Sequence, residues 1–227
     1  MVASLVEKPY QLETRDRWLV AGFAEPWTVV SWAVVNGGWQ RTRQVAWLYL
    51  RLHEIRNVMD PAEWMQGQMH AEGLSGAVGF MTSRRAGTFV EATGADADCS
   101  AWAVGTVGLS NALRVGDSSG PIQMPGTINL LVCCSQPLTV EAANEALCLV
   151  SEAKALAMME SGVASVRSGL LATGTGTDYL AVAWPAHGER TSYAGKHTAV
   201  GAAMGQAAYA AISKGAAEWL EEYRGRL

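Results

Sequence analysis

The stretch that decides the fold runs from Gly126 to Ser161: GTINLLVCC (126–134), SQPL (135–138), then TVEAANEALCLVSEAKALAMMES (139–161). The first run is apolar and of strand length, so it reads as a buried strand that Pro137 ends. Thr139 is placed to cap the helix that follows, with Glu141 in the first turn, where the helix dipole favours an anion. Along that helix Asn144, Cys148, Ser151 and Glu152 fall on one stripe by the three-and-four rule. Such a small polar stripe suits either solvent or the edge of a ligand site.

Upstream, SLVEKPYQLETRD, RWLVAGF and WTVVSWAVV are rich in β-branched and aromatic residues and are broken by charges and by Pro26, which predicts extended segments. Asn36-Gly37-Gly38 is a turn signal. QVAWLYLRLHEI (44–55) has helix-compatible spacing, and Pro61 opens a second short helix where its missing N–H costs nothing. GAVGFMT, GTFVEAT and CSAWAVGTVG read as strands with separations short enough for antiparallel neighbours. LSNALRVGDSSGPIQMPG (109–126) is too long for a simple turn and has the composition of a functional loop.

Downstream, a glycine-rich turn leads into the strand YLAVAWP, and the chain ends in a helix from about Thr198 to Tyr223. Gly201, Gly205 and Ala208 share one side of that helix, which admits a neighbouring backbone and permits a homodimer. Strands cluster early, helices cluster late, and βαβ alternation is not evident. The expected fold is therefore α+β: a single-domain sandwich over residues 1–227, with a largely antiparallel or mixed sheet packed by two long helices.

Composition bounds the function. The 227 residues suit one domain, at a prior of roughly 150 residues each. With a net charge of -4 and its basic residues scattered, the chain has no footprint for nucleic acid. The N-terminus lacks a basic start followed by an apolar core, and no apolar run approaches the length of about 18 that spans a bilayer. The expectation is a soluble, cytoplasmic protein with no membrane partner. Cys99, Cys133, Cys134 and Cys148 show no CxxC spacing and read as buried free thiols rather than a zinc or disulfide framework.

Gly108-Leu109-Ser110-Asn111-Ala112 approximates a nucleophile elbow, with Asp178 and His197 following in the order of an α/β-hydrolase triad. LRVGDSSGP cannot make the helix that must follow such a serine, so that fold is set aside; Ser110 stays open as a nucleophile on another scaffold or as a turn hydroxyl. TGTGTD (173–178) leads into a strand and so is no dinucleotide fingerprint, but Thr175, Gly176 and Thr177 offer backbone N–H groups and hydroxyls to a polar ligand. YAGKHT (193–198) lacks the spacing of a P-loop. It is a helix start that Thr198 caps, and the positive helix end beside His197 favours the neutral imidazole a general base requires. Lys196 can steady a developing oxyanion. His53, His70 and His187 are isolated and form no metal-binding pattern. Trp32, Trp39 and Trp102 lie near the glycine-rich turns, where some of the nine tryptophans suit a large flat ligand.

Taken in order, SWAVVNGG, VGLSNALRVGD, GTINLLV with EAANEAL and SEAKA, ATGTGTD and YAGKHTAVG resemble the adenosylcobinamide amidohydrolase (CbiZ) family, from about Trp27 to Ala211. The resemblance implies corrinoid salvage: hydrolysis of the amide joining aminopropanol to the corrin's propionyl side chain, giving adenosylcobyric acid. It implies no cofactor, since the adenosylated corrinoid is the substrate. The family often has threonine where Lys196 stands, which makes His197 the stronger catalytic candidate of the two. On this reading His197 acts as base and then acid, oriented by Asp178 or Glu152. Ser110, Asn111 and the TGTGT backbone hold the oxyanion or supply the nucleophile, while Asn36, Gly37, Gly38, Arg114 and Tyr193 contact the corrinoid. The alternative class is a corrinoid-binding salvage protein that does not cleave its ligand.

Overall fold

The computed structural model describes residues 7–51, 54, 58–121 and 124–224. Its elements are β1 (Tyr10–Arg15), β2 (Trp18–Ser31), β3 (Gly38–Tyr49), α1 (Pro61–Ala71), β4 (Val78–Thr82), β5 (Val90–Asp96), β6 (Cys99–Val107), β7 (Ala112–Leu113), β8 (Ile128–Cys134), α2 (Val140–Glu160), β9 (Gly174–Thr175), β10 (Tyr179–Pro185) and α3 (Ala199–Glu222). One mixed sheet has the order β4-β3-β2-β10-β8-β6-β5, with β1 added against β2. The expected α+β sandwich with two long helices is the fold observed, and α1 adds a third helix.

Thr139 and Thr198 cap α2 and α3, each hydroxyl accepting a backbone N–H of the first turn. Asp60 caps α1 in the same way, with Pro61 opening it.

Four expectations are corrected. Gln44–Tyr49 is not helical; it is the second half of β3, buried between β2 and β4. Val45, Ala46, Trp47, Leu48 and Tyr49 are apolar on both faces because both faces of this strand are covered, and such a run carries no period that separates strand from helix. His53 and Ile55, from the same segment, lie outside the described residues. Second, βαβ units are present: β3 and β4 are parallel neighbours bridged by α1, and β8 and β10 are parallel neighbours bridged by α2. Third, β4 is not paired with β5; the two lie at opposite ends of the sheet order. Pro26 does not break β2, which runs through it with a register shift between Gly22 and Trp27.

Strand alternation divides the core. Ala101, Ala103, Leu130, Val132, Leu180 and Val182 face α2 and α3, while Trp102, Val104, Leu131, Cys133, Ala181 and Ala183 face the other way. That second face is covered by the sheet itself, which curls back on itself: Asn129 Nδ2 of β8 donates to Met81 O of β4 at 2.7 Å, and Tyr10 of β1 and the nearby Lys8 reach Glu91 of β5. α1 packs Met65 and Met69 against Trp18, Val20, Ala46 and Leu48. Among the described residues no helix is long and apolar enough to cross a membrane.

α3 lies so close to β5 that a Cβ on Gly94 would stand 2.2 Å from Ala203 O and 2.8 Å from Ala207 N. Gly94→Ala is therefore expected to lose about 2 kcal/mol or more of stability in denaturant unfolding, in the range of overpacked cores. Gly67→Ala, on the open side of α1 with nothing within 4 Å, serves as the control and is expected to be neutral or stabilising.

Candidate active site

The YAGKHT turn is clamped between two helices. Ala194 N donates to Glu145 Oε2 on α2 at 2.6 Å, and Thr198 Oγ1 donates to Gly195 O at 2.8 Å while accepting from Gly201 N at 3.0 Å. Gly201 has to be glycine: a Cβ there would stand 2.2 Å from Gly195 O and 2.5 Å from Ala194 O. The backbone approach expected on this side of α3 is thus made at Gly201 by the chain's own preceding turn.

The clamp sets Tyr193, Lys196 and His197 over Glu145, Cys148, Leu149 and Glu152, which together line an open pocket of about 470 Å³. Lys196 Nζ lies 2.7 Å from Glu152 Oε2, with both side chains more than half exposed. A pair so open to water adds little stability; its consequence is to hold an ammonium group at the pocket's edge. Cys148 is exposed here, which corrects the expectation that all four thiols are buried; Cys99, Cys133 and Cys134 are buried as expected.

Ser110, Asn111, Thr175, Gly176, Thr177 and Asp178 assemble elsewhere. β7 pairs with β9, and Gly176 N donates to Asn111 O at 3.1 Å, so the long loop after Gly108 is zipped to the TGTGTD turn. Asp178 is the hub of that turn. Its carboxylate accepts from Thr175 N, from Thr175 Oγ1 at 2.5 Å and from Lys154 Nζ at 2.5 Å, with the Lys154 and Asp178 side chains 13% and 9% exposed. Gly174 is kept bare by this pair, because a Cβ would stand 2.1 Å from Asp178 Oδ2. Thr177 Oγ1 meets Thr127 Oγ1 at 2.8 Å, and the Asn111 amide nitrogen is buried without a partner among the described residues.

These two groups leave α2 on different sides. Lys154 follows Glu145 by nine residues, about two and a half turns, and follows Glu152 by roughly 200° of rotation. The structure therefore brings His197, Lys196, Glu152 and Tyr193 together, and brings Ser110, Asn111, Thr175, Gly176, Thr177 and Asp178 together, with the body of α2 between the two sets. Asp178 makes no contact with His197. Asn36 spends its amide on Ser75 O and Ala77 O, Gly37 packs against Ala33, and Gly38 supplies a positive φ, so that block secures the β2–β3 turn. Arg114 donates to Leu171 O, and Ser165 Oγ donates to Asp117 Oδ2; that bond, with further ones from Ser168 and the Arg114 backbone, holds the Asp117 carboxyl below its usual range. His70 contacts Ser75 and His187 contacts Arg41, both away from these groups.

Sequence reasoning missed Glu145 and Lys154. Glu145 stands three and seven residues before Cys148 and Glu152, at the edge of the polar stripe, so its spacing was a usable signal; Lys154 lies off the stripe and finds its partner 24 residues along the chain, so no local spacing announces it. Cys148 did lie on the stripe, and its place beside Glu152 was the available signal.

The adenosylcobinamide amidohydrolase (CbiZ) family model matches residues 4–224. The chain belongs to this family. No curated protein matches the sequence. Among solved structures, a β-aminopeptidase of Burkholderia sp. is similar with a TM-score of 0.42 and 12% identity, over 99% of this chain and 91% of its own. The PH0078 protein from Pyrococcus horikoshii OT3 has a TM-score of 0.41 and 11% identity, over 94% and 82%. Neither likeness bears on the chemistry below.

For this adenosylcobinamide amidohydrolase the pocket geometry makes a simple statement about thiols. Burial pushes the Cys133 thiol far up, whereas Cys148 opens onto the His197 pocket. Brief maleimide treatment of the native protein is expected to label Cys148 alone, as read by peptide mass spectrometry, and adenosylcobinamide is expected to protect it. Labelling of Cys99 or Cys134 at a similar rate would contradict the packing described.

Proposed function

We propose that the amide hydrolysis of this enzyme, which separates aminopropanol from adenosylcobinamide and leaves adenosylcobyric acid, takes place in the His197 pocket. One observation carries the assignment: His197, Lys196, Glu145 and Glu152 converge on a pocket open to solvent, whereas the carboxylate of Asp178 is already occupied by Lys154 and Thr175 inside the fold. Amide hydrolysis needs a base, a donor for the oxyanion and an acid for the departing amine.

His197 takes a proton from water, and the hydroxide adds to the amide carbon. The carbonyl oxygen becomes an oxyanion beside the Lys196 ammonium, which Glu152 holds at the pocket edge. On collapse the C–N bond breaks and the imidazolium returns its proton to the nitrogen of aminopropanol; the carboxylic acid left on the corrinoid then gives its proton to the freed amine, so the products are a carboxylate and an ammonium. Glu145 is a positioning residue, since it holds the backbone at Ala194, three residues before the base. In this reading water is the nucleophile, Ser110 and the TGTGTD turn support the opposite side of α2, and the adenosylated corrinoid is substrate rather than cofactor.

The test is mass spectrometry of the protein incubated with adenosylcobinamide, following adenosylcobyric acid and free aminopropanol. Wild type is expected to form both, His197→Ala to lose about 100-fold or more in kcat, and Ser110→Ala to stay within a fewfold. The reverse pattern would move the chemistry to the Ser110 side, and a bound corrinoid that releases no aminopropanol would make this a binding protein.

A further inference from the structure

Beyond the His197 pocket the space between α2 and α3 continues as an open groove of about 610 Å³. The two compartments share Leu149, Glu152 and Lys196 as walls. Their linings differ: the groove is floored by Ala153, Ala155, Leu156, Met159, Gly205 and Tyr209. Leu156 is 50% exposed and Met159 37% exposed, on the same side of the same helix. A single exposed leucine needs no explanation, but an apolar trough that opens directly into a charged pocket has the form of a ligand site.

Gly205 is an independent sign. It stands within α3, where glycine weakens a helix. Other glycines in this helix are required by their neighbours: Gly201 by the backbone at Gly195, and Gly215 by Val107, 2.5 Å from where its Cβ would be. Gly205 has no such neighbour. A Cβ there would meet only Leu149 Cδ2, at an ordinary 4.0 Å, and would otherwise project into the groove. What its missing side chain preserves is the depth of the groove.

We infer that this groove seats the corrin macrocycle of the substrate; the inference rests on the His197 pocket being the reaction site. The scissile amide hangs from the ring by a short saturated propionyl arm. An amide carbonyl held at His197 therefore puts the ring in an adjoining compartment, and the groove shares walls with that pocket. A corrin is a flat, largely carbon surface edged with methyl groups and carboxamides. Leu156, Met159 and Ala153 pack against the methyl-edged surface, with the unbranched thioether of Met159 adapting to its outline. The rim is polar and suits the carboxamides: Gln206 uses its carbonyl on Ala95 N, leaving its amide N–H groups as donors, and Glu160 accepts from the Tyr209 hydroxyl at 2.5 Å.

The experiment is adenosylcobinamide affinity, measured by calorimetry in a His197→Ala background with and without Gly205→Leu or Leu156→Asp, alongside turnover by wild type and by His197→Ala. Gly205→Leu fills the groove and favours the helix, so it is expected to melt no lower than its His197→Ala parent while Kd rises about tenfold or more. Leu156→Asp, on an exposed position, is expected to weaken binding in the same direction. If wild type turns over, His197→Ala does not, and both variants keep Kd within about twofold, the groove is not the seat and the site of chemistry stands. If the parent binds, wild type does not turn over and the variants lose binding, the groove stands and the catalytic reading fails. No binding by the parent and no turnover by wild type would overturn both.

Discussion

Because β8 and β10 are parallel neighbours, the chain must return across the sheet between them, and it does so as α2. Both groups of candidate residues are arranged about that one crossing. The helix buries Ala142, Ala143, Ala146, Val150 and Ala157 in the core that it shares with α3 and one face of the sheet. Its two remaining sides then serve different ends. One meets the turn that carries His197; the other supplies the lysine that neutralises Asp178 and fixes the turn into β10.

The two sides differ in how their polar groups are used. Around Asp178 the carboxylate is surrounded by donors from Lys154 and Thr175 and nearly closed to water, an arrangement in which removing one partner would strand a buried charge. Around His197 the charged groups are exposed and only partly paired, and the contact of Glu145 with Ala194 N holds backbone rather than the reacting side chains. The first is the chemistry of a structural anchor. The second leaves an imidazole, an ammonium group and an open pocket.

Much of this was legible in the residues. The caps Thr139 and Thr198, the long helices they open and the buried strand before Pro137 follow from local chemistry and are present. The resemblance to the amidohydrolase family, resting on blocks from SWAVVNGG to YAGKHT, corresponds to a family match over nearly the whole chain. What was not legible depended on pairing at a distance. Val45–Tyr49 is apolar throughout, so nothing in its pattern separates a doubly covered strand from a helix. The parallel pairs were hidden because α1 and α2 sit between strands whose neighbours along the chain are antiparallel. The candidate triad of Ser110, Asp178 and His197 satisfied an order along the sequence that α2 divides in space.

The central claim is that the reaction belongs to the α2–α3 side of the molecule. Its most direct measurement is a crystal structure of the His197→Asn variant with adenosylcobinamide. The account predicts the aminopropanol amide beside residue 197 and Lys196, with the macrocycle over Leu156, Met159 and Gly205. A corrinoid bound instead against Ser110, Asn111 and Thr177 would contradict it.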